Sequence, residues 1–239
     1  MAVLYILSAL LAAVVLYILF LALCSFFVSP KKEYENHSGF YRALLNGATA
    51  IAIKIMRIRI HTSGIEKIPQ NTKNLLFVSN HRSNFDPIIT WHILKHWQPA
   101  FISKAANFKI PIFGRFIRKC CFMAIDRENP RNAIKTINKA ANLLQKGQVS
   151  IGIYPEGTRS KTCELLPFHN GVFKIAQKSD APIVVLAISG TEKICKNYPF
   201  RHTDVHIDVL EVLSVEQVKA TKTDIIGEKI KTEMENHLG

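Results

Sequence analysis

Two short stretches of this chain hold residues whose types and spacing suit proton transfer next to an anionic group. The first is Asn80-His81-Arg82-Ser83-Asn84-Phe85-Asp86. Positions five apart on a helix point about 140° away from each other, so His81 and Asp86 can meet only in a loop. There a carboxylate bonded to one imidazole nitrogen fixes the tautomer and leaves the other nitrogen free as a general base. Asp86 also has a purely structural use, because Asp followed by Pro87 makes a good helix N-cap. The second stretch is Tyr154-Pro155-Glu156-Gly157-Thr158-Arg159-Ser160. Gly157 permits close backbone approach, Thr158 and Ser160 offer hydroxyls, and the fork of Arg159 matches a phosphate. A polar turn with a surface ion pair would use the same residues.

Positioning these loops requires a scaffold. Residues 57–62 alternate polar and apolar, and 74–79 form a short apolar run that ends at the first loop. A helix should begin after Asp86 with Pro87 at its first position. Another starts at Asn129-Pro130, sets Ile134, Ile137, Ala141 and Leu144 on one face, and stops at Gly147. Strand-like 148–154 leads into the second loop. A helix near 171–178, a strand over 183–189, the alternating 204–212 and a closing helix with Ile226, Ile230 and Met234 follow. Such alternation predicts an α/β fold, a mostly parallel sheet flanked by helices, with ligand groups in the loops after the strands' carboxyl ends.

Other chemistries find less support. His92/His96 and His202/His206 have the i, i+4 spacing of helical metal ligands, but His206 lies in an alternating strand and no Glu or third ligand joins His92 and His96. No metal site is expected. Gly147-Gln-Val-Ser150-Ile-Gly152 misses a nucleophile elbow by one residue. The five cysteines (24, 120, 121, 163, 195) are odd in number and lack CxxC spacing, which argues against a disulfide framework. A nucleic-acid partner would suit the net charge of +13, yet no helix-turn-helix, zinc finger or aromatic RNP pattern is present, so none is expected.

Residues 2–28 carry no charge, no Pro and no Gly, and as a helix they would extend roughly 40 Å against a hydrocarbon core of about 30 Å. The apolar run is about twice the usual signal-peptide core, so a membrane span is expected. Lys31, Lys32, Arg42, Lys54, Arg57 and Arg59 come after it, which places the rest of the chain on the cytoplasmic face as a single-pass anchored protein. Residues 38–56 read as a second helix with Leu44, Leu45, Ala48, Ile51, Ala52 and Ile55 at helical spacing, either lying on the membrane surface or packed as an ordinary helix. From Lys95 to Lys135 nine Lys or Arg face only Asp126 and Glu128, a patch suited to lipid headgroups, a phosphorylated substrate or an acidic carrier protein. The expected organisation is an anchor over 1–29, an amphipathic membrane-surface helix over 30–56, a catalytic domain over 57–215 and a C-terminal helix over 216–239.

Taken in order, Asn80-His81-x-Ser83-x-x-Asp86 and Pro155-Glu156-Gly157-Thr158-Arg159-Ser160 resemble the motifs of the glycerolipid acyltransferase family typified by bacterial 1-acylglycerol-3-phosphate acyltransferase. Lys104, Ile110-Pro111, Phe113-Gly114, Arg118 and Asp126-Arg127 fall where that family has its second motif, and Pro182-Ile183-Val184 matches the start of its fourth. Ala106, Cys121, Tyr154 and Val185 depart from the usual Glu, Gly, Phe and Pro. The resemblance, over residues 57–192, implies transfer of a fatty acyl group from an acyl thioester to the sn-2 hydroxyl of 1-acylglycerol-3-phosphate (lysophosphatidic acid), giving phosphatidic acid. It implies His81 as general base oriented by Asp86, without an acyl-enzyme. Arg159, Lys104 and Arg127 would hold the acceptor phosphate, Glu156 would position Arg159 or the glycerol, and Glu156, Gly157 and Thr158 would all belong to the substrate-binding set. No cofactor is implied beyond the donor, acyl-CoA or acyl carrier protein, and the partners would be membrane phospholipid and the lysophosphatidic acid acceptor. A relative acylating another lysophospholipid or glycerol 3-phosphate, and a non-catalytic basic membrane adaptor, remain open.

Overall fold

The computed structural model describes residues 1–239, apart from the side chains of Val3 and Leu10. The apolar runs bounded by turn signals become strands: β1 (Ile58–Ser63), β2 (Leu76–Ser79), β3 (Pro99–Lys104), β4 (Met123–Ile125), β5 (Ser150–Ile153), β6 (Ile183–Ser189) and β7 (Thr203–Leu213). The helices are α1 (Ala2–Phe26), α2 (Gly39–Ile55), α3 (Asp86–Ile93), α4 (Phe113–Lys119), α5 (Pro130–Gln145), α6 (Lys174–Ser179), α7 (Ile194–Asn197), α8 (Val215–Ala220) and α9 (Thr223–Leu238). Pairing in the order β1-β7-β6-β2-β5-β3-β4 gives one seven-stranded sheet. Every neighbouring pair is parallel except β6 with β7. This is the expected α/β fold.

The topology explains the clustering of loops. β6, β2, β5, β3 and β4 lie side by side and point the same way, so their carboxyl ends form a row. Along that row come Thr191, His81, Tyr154 to Arg159, Lys104 and Arg127, residues far apart in the chain. Helices cover both faces. On one, α5, α6, α8 and α9 bury Ala141, Leu144, Ile175, Val218, Ile226, Ile230 and Met234 with the sheet. Asn129 caps α5 as its sequence predicts, its side-chain oxygen accepting from the amides of Arg131 and Asn132. On the other face, Trp91 of α3, Leu45 of α2 and Phe116 and Ile117 of α4 pack around Phe101.

Three sequence expectations change. The helix after the first loop begins at Asp86 itself, one residue earlier, because the Asp86 side chain turns back onto the loop instead of capping. The anchor helix is not free to its end: Cys24, Ser25 and Val28 are buried, Tyr41 Oη donates to the carbonyl of Cys24 (2.9 Å), and Arg115 Nη1 donates to that of Ser25 (3.0 Å). Residues 4–9 and 11–16 are exposed, and Leu4–Phe26 is long and apolar enough to cross a membrane. Arg42, counted above among the charges flanking a span, is buried in the domain. Its guanidinium donates to the carbonyls of Pro99 (3.1 Å) and Cys120 (3.3 Å) and lies over the Trp91 ring, whose indole N–H in turn donates to Asn46 Oδ1 (2.6 Å). α2 therefore docks through its polar residues. Its apolar stripe divides, Leu45 turning inward while Ile51 and Ile55 remain 47% and 57% exposed.

Candidate active site

His81 and Asp86 meet as the loop geometry requires. His81 Nδ1 lies 2.7 Å from Asp86 Oδ2, and the same oxygen accepts the amides of Arg82 and Ser83, each at 2.7 Å. Asp86 Oδ1 takes the Thr191 hydroxyl at 2.5 Å. The carboxylate is fully buried, so these four donors stand in for water and fix its orientation. With Nδ1 donating to Asp86, Nε2 is the unprotonated nitrogen of neutral His81; it meets no protein partner among the described residues, and His81 lines a cavity of about 520 Å³.

The backbone of His81 is held from both sides by the second loop. Its N–H donates to Glu156 Oε1 (2.6 Å), and its carbonyl accepts from the amide of Ser160 (2.9 Å). Glu156 Oε2 accepts from the amide of Leu166 (3.0 Å). Glu156 itself is 3% exposed and does not line the cavity, and both its oxygens are taken up by backbone amides, in place of the expected contact with Arg159 or the glycerol. Its contacts tie the backbone of His81 to that of Leu166. Burial pushes its carboxyl above the ordinary glutamate value, against the opposing pull of the Leu166 and His81 amides. The Tyr154 ring stacks on the His81 imidazole at 4.4 Å and 22°, and burial pushes its phenol well above the usual value, with the Asp86 charge adding to the effect.

The other expected residues come together. Gly157, Thr158, Arg159, Lys104 and Arg127 all line the cavity that holds His81. Gly157 has φ +69°, and a Cβ there would sit 3.0 Å from the His169 ring. Among the described residues no carboxylate lies within ion-pair distance of Lys104, Arg127 or Arg159, so three cations face the cavity without a protein counter-ion. Three other cations of the basic stretch are diverted: Arg115 holds α1, Arg118 stacks on Phe108 and Lys119 on Tyr34. The same cavity also has an apolar wall, with Leu45, Ile88, Trp91, Phe101, Ile117 and Phe122. A Cβ at Gly114 would meet the Phe108 carbonyl at 2.4 Å, so glycine lets α4 pack against that backbone, and the neighbouring Ile110 and Phe113 both line the cavity.

Sequence reading missed Thr191, Thr49, Ser103 and Asn107. Thr191 follows β6, and only its place in the row of strand ends marks it. The others line the cavity from α2 (Thr49), β3 (Ser103) and the turn that follows β3 (Asn107). The histidine pairs do not converge: His96 Nε2 meets the Gln70 carbonyl, His202 holds Arg57, and His206 stacks on His61. Among the described residues no three His, Cys, Asp or Glu side chains form a metal-binding group. Cys120 and Cys121 are buried, which pushes their thiols up to about 12 and about 11.

A family model described as Acyltransferase matches residues 59–189, which contain both loops and the three strands between them, β3, β4 and β5. The chain belongs to the acyltransferase family. It is 34% identical over 131 residues to a chloroplastic 1-acyl-sn-glycerol-3-phosphate acyltransferase of Brassica napus, covering 55% of this chain and 37% of that one. With the 1-acyl-sn-glycerol-3-phosphate acyltransferase of Escherichia coli it shares 31% identity over 146 residues, 60% of this chain and 58% of the other. The matched part spans between 37% and 58% of the length of such relatives. The fold is also that of the crystal structure of PlsC, the 1-acyl-sn-glycerophosphate acyltransferase of Thermotoga maritima, with TM-score 0.68 and 22% identity over 93% of this chain and 88% of that one.

Proposed function

We propose that this chain transfers a fatty acyl group from an acyl thioester to the sn-2 hydroxyl of 1-acylglycerol-3-phosphate, yielding phosphatidic acid. The observation that carries the reading is a single cavity shared by a base, unpaired cations and an apolar wall. His81 Nε2 takes the proton of the acceptor hydroxyl as that oxygen attacks the thioester carbonyl. Asp86 stabilises the imidazolium, and collapse of the tetrahedral intermediate expels the thiolate, whose conjugate acid has a pKa of about 8.5. Such a leaving group needs little protonation, so the reaction requires neither an acyl-enzyme nor a metal. Arg159, Lys104 and Arg127 hold the phosphate, and the apolar wall accommodates an acyl chain. The named activities of the relatives support the acceptor. Acyl-CoA or acyl carrier protein serves as donor, α1 anchors the protein in the membrane, and the lysines that follow it place residues 57–215 on the cytoplasmic face.

Mass spectrometry of products tests this with purified protein in vesicles, offered 1-acylglycerol-3-phosphate, lysophosphatidylcholine or glycerol 3-phosphate with either donor. Phosphatidic acid should dominate. Arg159→Lys, which loses one arm of a bidentate bond of about 1.5–3 kcal/mol, should raise KM for the phosphorylated acceptor roughly tenfold or more. Acylation of none of these acceptors by folded protein would leave the non-catalytic membrane adaptor as the better reading.

A further inference from the structure

The segment joining β6 to β7 begins at Thr191, under Asp86, and ends in an exposed turn with no use in the proposed chemistry. Phe200 is 87% exposed and Tyr198 41%, with Pro199 between them also exposed. Lys193, Lys196 and Arg201 flank them on the surface, and residues 193–201 contain no carboxylate. The turn is held firmly. Arg57, in the left-handed region at φ 56°, donates through Nη1 to the Pro199 carbonyl (3.0 Å). Its own carbonyl accepts the Thr203 amide at 3.2 Å.

Arg57 lies two residues past the end of α2, so the turn is pinned close to the carboxyl end of that helix. The outer stripe of α2, Phe40, Ile51 and Ile55, is 54%, 47% and 57% exposed. α1 and α2 run antiparallel, since Tyr41 Oη reaches the carbonyl of Cys24 while Gly47 lies beside the Tyr17 hydroxyl. The carboxyl end of α2 therefore points the same way as the exposed amino-terminal half of α1, toward the membrane that α1 would enter.

We propose that Tyr198-Pro199-Phe200 is a second membrane contact, seated in the interfacial layer of an anionic phospholipid bilayer, with Lys193, Lys196 and Arg201 against the headgroups. Aromatic rings are favoured at that depth, basic side chains beside them gain from anionic lipid, and the exposed apolar side chains of the turn and of α2 are otherwise uncovered. The cations favour lipid over a second copy of this chain, whose matching turn would carry the same charge. This rests on the reading that the chain works at a membrane, and not on which acceptor it acylates.

Full-length Phe200→Trp protein in phosphatidylcholine vesicles, with or without phosphatidylglycerol and containing lipids brominated near the headgroup, provides the test. Trp91 and Trp97 are 2% and 4% exposed and set the background in unmodified protein. Bromolipid quenching should exceed that background at least twofold and grow with phosphatidylglycerol, and K193Q/K196Q/R201Q in the F200W protein should remove the growth. Quenching no greater than background overturns the proposal, as does an emission that depends on protein density and not on bromolipid, which would assign the turn to a second copy. Quenching reads contact without turnover, so this result stands apart from success or failure of the acylation assay.

Discussion

Of the three His–Asp pairs among the described residues, two also stack the histidine on a second ring and look alike at the level of contacts. His81 bonds Asp86 at 2.7 Å and stacks on Tyr154; His61 bonds Asp204 at 2.9 Å and stacks on His206, 4.9 Å away and tilted by 20°. Their surroundings differ. Asp86 is fully buried and holds three further donors, whereas the side chains of both His61 and Asp204 are 52% exposed. The first pair lies at the carboxyl end of β2, beside cations and an apolar wall. The second lies along the β1–β7 edge, beyond the antiparallel step from β6 to β7 that ends the row of strand ends. A carboxylate–imidazole contact thus becomes a candidate catalytic device only where water has been replaced by fixed donors and a cavity opens on the far nitrogen.

The largest expected difference between the pairs is in turnover. His81→Ala should lower kcat about 10²–10⁴-fold with the fold retained, because a general base contributes on that scale. His61→Ala should leave kcat within about twofold. Comparable losses from both, measured with saturating donor and acceptor, would erase the distinction.

Asp86→Asn sharpens it. The three N–H donors around Oδ2, two of them backbone amides, favour the amide oxygen of Asn at that place, leaving its NH₂ toward the Thr191 hydroxyl, which can accept. The imidazole tautomer is then preserved and only the charge is lost. A charge-assisted bond contributes about 1.5–3 kcal/mol, so kcat should fall roughly 10–100-fold, less than for His81→Ala. A loss equal to that of His81→Ala would mean the amide has turned and the tautomer with it. Asp204→Asn should not alter kcat.

What could be read in the chain beforehand follows the same division between local and distant causes. The cap at Asn129, the extent of β6, the His81–Asp86 loop and the Arg159 turn depend on neighbours in sequence, and the structure places them where local chemistry predicts. Arg42 did not reveal itself, because its carbonyl partners are 57 and 78 residues away and a buried guanidinium looks like any flanking charge in one dimension. The role of Glu156 was hidden likewise. Its partner is a backbone amide 75 residues distant, and backbone amides carry no mark in sequence. Thr191, 105 residues from Asp86, required knowledge that β6 pairs with β2.

A smaller effect should come from Thr191→Val, which keeps the shape and removes one donor. Oδ1 of the buried Asp86 would then lack a partner, at a cost of about 1–3 kcal/mol in stability, with a correspondingly lower melting temperature and a modest fall in kcat. Asp204 has no counterpart to lose. A variant as stable as the parent would show that water reaches Oδ1, and the contrast in burial between the two pairs would narrow.

The smallest effect belongs to the exposed pair itself. The Asp204 carboxyl titrates below the ordinary aspartate value, first because His61 bonds to it, with lesser help from the charges of His61, Arg59 and His206 and with desolvation opposing. A depressed native pKa gives stability that is present above the unfolded-state pKa and disappears as pH falls through the native one. His61→Ala should therefore raise the Asp204 pKa, a change that NMR titration of the carboxyl can follow. Arg59 and His206 remain nearby, so the value should still lie under the ordinary one. Because both partners are half in water, their attraction is screened, and the melting temperature of His61→Ala at neutral pH should match the parent within about 1 °C. Below the native pKa of Asp204, where the carboxylate is protonated in both proteins, any residual difference should vanish. A drop of several degrees at neutral pH that persists in high salt would contradict the exposure argument, and the β1–β7 pair would then have to be counted among the buried interactions that hold this edge of the sheet.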